Sequence, residues 1–213
     1  MIADVFYILT DRKEWFLELL WQHIALAGTS ILLAGTIGLV LGIVINQYKK
    51  ASHFVLGLTN MLYTVPEIAM FGFLIPLTGI GNKTAVIALS IYALLPMVRN
   101  TFTGLNQVDT AIIEAAVGMG STKWQVLFKV QLPMAFSFIL AGLRSMVVMT
   151  ISVAGIASYI GAGGLGPPIY RGIATNNTAL MITGSIMIAA MAILTDALFG
   201  VLEKRVKKRW KMQ

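Results

Sequence analysis

Apolar residues in this chain gather into five long runs separated by shorter polar stretches, at about 23–45, 54–77, 84–98, 133–160 and 179–202. Four of them reach the roughly 20 residues that a helix needs to cross about 30 Å of hydrocarbon. The third holds only fifteen residues, about 22 Å of helix at ~1.5 Å per residue. We read it as running on through Arg99 to Thr103, with the arginine snorkelling toward the headgroups. The pattern predicts an all-α membrane protein in one membrane domain, 1–213. Its five transmembrane helices fall at about 23–45, 54–77, 84–103, 133–160 and 179–202. Residues 11–22 carry Trp15, Phe16, Leu19, Leu20 and Trp21 among charges. They read either as an N-terminal interfacial helix or as a lengthening of the first span. Pro66 falls in mid-span and must kink or break its helix, because it lacks an N–H and its ring clashes with the preceding turn. The freed carbonyl then needs a partner in the protein or in a wet cavity. Pro133 stands where a helix begins, a position at which the missing N–H costs nothing. Ser30, Ala34, Gly38 and Gly42 recur every four residues and form a small-residue stripe for close helix packing.

Composition agrees with a bilayer as the solvent. Hydrophobic residues make up 57% of the 213-residue chain and charged residues 12%, against about half and about a quarter in water-soluble domains. Mean hydropathy is +0.81. The absence of cysteine excludes disulfides and thiolate metal sites. Two histidines far apart in sequence make no metal site. Residues 1–10 lack a basic start and contain Asp4, so no cleavable signal peptide is read there. The net charge is +7, but six of the sixteen basic residues (Lys204, Arg205, Lys207, Lys208, Arg209 and Lys211) fall in the last ten positions. A basic run directly after an apolar segment fits the positive-inside rule and anionic membrane lipid. No aromatic–basic platform accompanies it, so nucleic acid is not expected as a partner. Placing this tail, 203–213, in the cytoplasm puts eleven Lys or Arg inside and four outside, the four being Arg12, Lys13, Lys83 and Arg171. The N-terminus is then external.

The longest polar interruption, residues 100–132, separates the third and fourth runs, and a connection of this length is usually functional. Val108, Ile112, Ala115 and Ala116 fall at helical spacing, and Gly118 and Gly120 break the run. Ser121 is an N-cap candidate, after which Trp124, Val126, Leu127 and Phe128 start a second short helix. Two short helices meeting at a glycine corner make a stiff knob that can carry force between this chain and a soluble partner.

Glu114-Ala115-Ala116, Gly120, Val130 and Leu132-Pro133 resemble the EAA pattern of bacterial ABC importer permeases, with valine at 130 where the family has isoleucine. Leu94-Leu95-Pro96-Met97-Val98-Arg99-Asn100-Thr101, Ala141-Gly142-Leu143-Arg144 and Gly161-Ala162-Gly163-Gly164-Leu165-Gly166 resemble the permeases of osmoprotectant importers. Those take up glycine betaine, carnitine, choline or related quaternary amines. The resemblance implies a type I importer architecture with a methionine-permease-like core. It implies that residues 104–132 form a coupling loop seated in a groove of a separate ATPase, through Glu114, Ala115, Ala116, Gly120, Leu132 and Pro133. It also implies two copies of that ATPase, which hold the ATP and Mg, and a second permease chain, identical or paralogous. An extracellular or lipid-anchored solute-binding protein is expected to dock near Gly164, Leu165, Gly166 and Tyr170. The setting is a bacterial inner (plasma) membrane. By this reading the chain is a transport subunit rather than an enzyme and has no cofactor of its own. Thr64-Val65-Pro66-Glu67 departs from the family, where a small polar residue follows the proline.

Several span residues are candidates for the translocation path: Tyr63, Pro66, Glu67, Tyr92, Arg144 and Tyr159. A carboxylate at Glu67, near the bilayer centre, costs about 2.5–3.5 kcal/mol. It either lines the path and favours a cationic substrate, or pairs with Arg144, or stays a neutral, protonated acid. Tyr63, Phe71, Tyr92 and Tyr159 present ring faces that attract soft cations, or pack as ordinary aromatics. Arg144 suits a structural or gating role, and Asp196 a pairing near the interface. Gly161-x-Gly163-x-x-Gly166 has the spacing of a dinucleotide fingerprint, but it follows an apolar span rather than a strand. The function these features favour is passage of a compatible solute by alternating access, driven by the separate ATPase. The alternatives are a permease of the same architecture for an amino acid such as methionine, and an ion-coupled secondary transporter with ion ligands on broken helices.

Overall fold

A computed structural model describes residues 2–209. Helices α1 (Ile2–Asp11), α2 (Lys13–Gln47), α3 (Lys49–Thr64), α4 (Glu67–Thr78), α5 (Asn82–Asn106) and α6 (Thr110–Gly118) lead to a long composite rod. That rod joins α7 (Lys123–Val126), a π turn (Leu127–Gln131), α8 (Leu132–Ala154) and a 3-10 turn (Gly155–Ile160). Helices α9 (Gly166–Ala174) and α10 (Thr178–Arg209) complete the described chain. Among the described residues four stretches are long and apolar enough to cross a membrane: α2, α5, the rod Lys123–Ile160, and α10. The bent pair α3 and α4 makes a fifth if it counts as one span.

Helix α5 forms the centre and packs chiefly against α2 and α8. Its buried positions Ala85, Ala88, Ala93 and Gly104 are small, so neighbouring helices approach closely and gain dispersion contacts along their length. The α2 stripe of Ser30, Ala34, Gly38 and Gly42 is buried and faces this helix. A Cβ at Gly42 would lie 2.5 Å from Thr101 Cβ, and one at Gly38 would lie 2.8 Å from Met97 Cβ. On the other side of α5, Gly142 of α8 fits against Asn100, and Gly104 fits against Phe138.

The second run breaks where Pro66 demands it. Val65 and Pro66 are extended, with ψ of 129° and 140°, and α3 and α4 meet at a 101° bend. The segment begins at Lys49 rather than at residue 54. Helix α5 is longer than the hydrophobic run, from Asn82 to Asn106. Arg99 therefore lies seven residues inside its end and donates from Nη2 to Asn60 Oδ1 on α3 at 3.1 Å.

At the N-terminus, residues 13–22 are continuous with α2, which is the second of the two readings open from sequence. Phe16 and Leu19 are buried, and Leu19 packs with Leu165 and Ile188. A separate short helix does precede it, but it is α1, which contacts α10 and α2. Helix α8 begins at Leu132 with Pro133 in its first turn, as expected, but further helical turns precede it. The proline ring would clash with the Lys129 carbonyl in an unbroken α-helix. The chain widens into a π turn just before it, in which Leu132 N–H reaches back to the Leu127 carbonyl. The helix through Trp124 and Phe128 thus runs on into α8. Of the basic tail, residues 203–209 continue α10, and 210–213, including Lys211, lie outside the described residues.

Candidate functional site: an elbow, a broken helix and a clamped loop

The elbow lies at one end of the bundle. Asp109 caps α6 by accepting the Ala111 N–H at 2.9 Å. The helix stops at Gly120, whose φ of +87° is open to glycine and strained for other residues. Ser121 N–H bonds the Ala116 carbonyl at 3.1 Å and Gly120 N–H bonds that of Val117 at 2.9 Å, the paired bonds of a Schellman ending. Two residues later a capping box starts α7. Thr122 N–H donates to Gln125 Oε1 at 2.8 Å and Gln125 N–H to Thr122 Oγ1 at 3.3 Å. The cap is therefore Thr122, not Ser121, and α6 extends through Gly118. With both termini satisfied, the corner is stiff.

What the elbow presents differs residue by residue. Glu114 and Ala115 face outward, whereas Ala116 is buried. Met119 is 81% exposed and Trp124 70%, and the Trp124 ring stacks on Phe128 at 5.9 Å. Such an apolar cluster beside an exposed carboxylate has the character of a contact surface. Leu132 instead packs inward with Leu105, Leu127 and Ala135, and fastens the elbow to the bundle. Asn46 Nδ2 donates to Asn106 Oδ1 at 3.1 Å, joining the ends of α2 and α5 above it.

The broken helix sits midway along the bundle. Tyr92 stands ten residues into α5, about 15 Å by helical rise, and its hydroxyl donates to the Val65 carbonyl at 2.5 Å. This satisfies one of the backbone groups that the break exposes. The Tyr63 ring meets Tyr92 edge to face at 6.4 Å, and its hydroxyl approaches Met149 Sδ of α8 at 3.5 Å. Glu67 opens α4 at this level. It does not pair with Arg144. The guanidinium is held by Asp196, with Nε to Oδ1 at 2.6 Å and Nη2 to Oδ2 at 2.7 Å, and by Glu203 at 3.2 Å. Asp196 thus pairs across two spanning helices, binding α8 to α10 in a bidentate bridge. Phe71 is buried in the core cluster around Tyr92 and acts in packing.

At the opposite end, residues 161–165 form a loop fixed by three consecutive backbone N–H groups. Gly163 donates to Asn82 Oδ1 at 2.9 Å, Gly164 to Gln22 Oε1 at 3.2 Å and Leu165 to His23 Nδ1 at 3.1 Å. Because His23 Nδ1 accepts, the ring proton is on Nε2, which donates to the Ile151 carbonyl at 3.0 Å. His23 has no exposed surface. Gly164, at φ +101°, brings the backbone against that imidazole. Gly166 then starts α9 in contact with the Gly155 carbonyl and Ser158. Tyr159 and Tyr170 meet edge to face at 5.2 Å and border a cavity of about 430 Å³ with Ser152, Ser158 and Ser185.

The candidate residues therefore fall into separate places. Glu114, Ala115 and Gly120 share the elbow. Tyr63, Pro66, Glu67 and Tyr92 share the break. Gly164, Leu165, Gly166, Tyr159 and Tyr170 share the clamped end. Arg144 stands apart in its own ion cluster. Sequence reasoning missed Gln22, His23 and Asn82. His23 was legible, because it extends the buried stripe of α2 by one step below Ala27 and Ser30.

A helical membrane domain with a capped elbow at one end and a pinned loop at the other has the build of a transport component. Residues 34–208 match the binding-protein-dependent transport system inner membrane components, and the chain belongs to that family. It is 41% identical over 192 residues to the carnitine transport permease protein OpuCD of Listeria monocytogenes serotype 1/2a (strain 10403S), covering 90% of this chain and 86% of that one. It is 40% identical over 196 residues to the glycine betaine/carnitine/choline transport system permease protein OpuCD of Bacillus subtilis (strain 168), covering 92% and 86%. Among solved structures, a chain of the inward-facing MetNI methionine ABC transporter superposes with a TM-score of 0.83 at 23% identity, over 91% of this chain and 97% of that one. The protein is a multi-pass permease subunit of an ABC importer.

Proposed function

We propose that this permease passes a compatible solute of the quaternary-amine class (glycine betaine, carnitine or choline) between itself and a second permease chain, identical or paralogous. Curated relatives named for those solutes align over 86% of their length. The likeness to the methionine importer rests on 23% identity and supports the fold alone. The elbow faces the cytoplasm, with the basic C-terminal helix beside it and the N-terminus outside. Two separate ATPases hold ATP and Mg and receive the elbow through Glu114, Ala115, Met119 and Trp124. Their closure moves the elbow, the rod Lys123–Ile160 carries the displacement, and the two permease chains rock between inward and outward openings. Tyr63, Pro66, Glu67, Tyr92 and Tyr159 line the path, and Arg144 ties α8 to α10 beside it. Gly164, Leu165, Gly166 and Tyr170 receive a solute-binding protein on the outer face.

The observation that carries this reading is the doubly capped elbow, which exposes a carboxylate and an apolar cluster and continues without a break into a spanning helix. Glu114→Lys tests it in the assembled complex of permease, ATPase and binding protein in proteoliposomes. Basal hydrolysis and membrane insertion are expected to persist, while glycine betaine uptake and substrate-stimulated hydrolysis are lost. Wild-type uptake by this variant would refute the coupling role.

A further inference from the structure

The broken second span holds a group that the coupling mechanism leaves unused. Glu67 lies at mid-depth, half-buried, and makes no ion pair among the described residues. Arg144 is engaged by Asp196 and Glu203. Glu67 follows by two residues Val65, whose carbonyl accepts the Tyr92 hydroxyl, so it stands at the level of that ring. Tyr92 itself is 4% exposed and fixed by its bond to Val65, whereas Tyr63 is 43% exposed. The Tyr63 ring, which meets Tyr92 at 6.4 Å and reaches Met149 Sδ at 3.5 Å, and Glu67 thus share the level of the helix break.

We propose that Glu67, Tyr63 and Tyr92 form a weak seat for an onium group and select in favour of substrates with net positive charge. The chemistry fits such a group better than the alternatives. A ring face and a thioether attract a soft, diffuse cation. A hard metal ion needs several oxygen ligands, and a single carboxylate does not supply them. Glu67 stands in the first turn of α4, where the helix N-terminus favours a negative group. Choline carries a net charge of +1 and gains the full attraction. Glycine betaine carries its own carboxylate and gains less. The seat must also be weak, because a solute bound tightly here would stall release. This inference rests on the quaternary-amine reading above.

The test uses the complete importer in proteoliposomes and tetramethylammonium chloride, a bare onium ion, added on the ATPase side, where the binding protein does not reach. Sodium chloride at equal ionic strength is the control. Tetramethylammonium is expected to inhibit glycine betaine uptake by the wild type. Glu67→Gln is expected to raise the half-inhibitory concentration about tenfold, and Tyr63→Leu several-fold. Tyr63→Phe, which keeps the ring, should stay within twofold. Equal inhibition of wild type and Glu67→Gln, or none in the wild type, overturns the seat while uptake itself leaves the importer reading standing. If Glu67→Gln does not assemble, the contrast between Tyr63→Leu and Tyr63→Phe decides, and equal inhibition of these two overturns the seat. Failure of glycine betaine, carnitine and choline alike to be taken up by the wild type defeats the substrate reading and the seat with it.

Discussion

Replacing His23 by phenylalanine keeps a ring of similar size in a site with no exposed surface and removes both ring nitrogens. The change leaves the Leu165 N–H without its acceptor and the Ile151 carbonyl without its imidazole donor. An unsatisfied buried polar group costs about 1–3 kcal/mol, so the two together give on the order of 2–5 kcal/mol. At roughly 2–4 °C per kcal/mol for a chain of this length, the melting temperature should fall by on the order of 10 °C. The amide of Leu165 should also lose protection, because its bond is what holds the loop shut. His23→Asn separates the two contributions. Its side-chain oxygen stands where Nδ1 stood and can still accept from Leu165, so about half of the loss should return. Tryptophan fluorescence during heating of the purified importer in nanodiscs gives the melting point. Hydrogen exchange read by mass spectrometry gives the loop. If His23→Phe melts within about 1 °C of the wild type and Leu165 exchanges no faster, the clamp has no structural weight and the reasoning fails.

Other outcomes follow from particular contacts. Gly42→Val should drive α2 from α5, since even a Cβ there lies 2.5 Å from Thr101; overpacking of this kind costs about 1–3 kcal/mol, readable as a lowered melting point. Gly57→Ala in α3 is the matched control. Nothing lies within 4 Å of its added Cβ, so stability should hold or rise by about 0.5–1 kcal/mol. Arg144→Asp should abolish stable expression, and the double variant with Asp196→Arg should restore it, as detergent-resistant folded protein would show. Gly120→Pro forces φ to about −65° where +87° is needed and removes the N–H bonded to Val117. It should leave insertion intact and end substrate-stimulated hydrolysis in the complex.

The features legible in the sequence were those governed by local rules. Pro66 had to break its helix, the stripe of small residues had to face a neighbour, and the glycine at 120 had to turn the elbow. Each depends on backbone sterics or on periodicity, which a single chain displays. The π turn was hidden because it is a compromise between two rules. Pro133 suits a helix start, yet Trp124 to Gln131 also favour a helix, and the widened turn lets both persist. The partners of Arg144 were hidden for another reason. Asp196 and Glu203 lie 52 and 59 residues away, and nothing in local pattern connects them. The same holds for His23 and Leu165, 142 residues apart. A lone histidine was dismissed as a metal ligand, when its value lay in offering an acceptor and a donor on opposite sides of one ring. Helix α9 escaped because its nine residues lie in a stretch that reads as loop, although Pro167 and Pro168 stand at its first turn.

The rod Lys123–Ile160 is 38 residues long, and its two irregular turns lie toward its ends, leaving α8 as unbroken α-helix between them. It meets α5 closely where Gly104 of α5 faces Phe138 and where Gly142 faces Asn100. Residue 140 stands about 26 Å from the elbow end and about 30 Å from the loop end by helical rise. A stiff beam pinned close to its middle behaves as a seesaw. An inward tip below becomes an outward tip above of nearly the same size, and no hinge or relay is needed in between. In the proposed mechanism the opposed movement of two gates would then follow from where two glycines let the fulcrum sit.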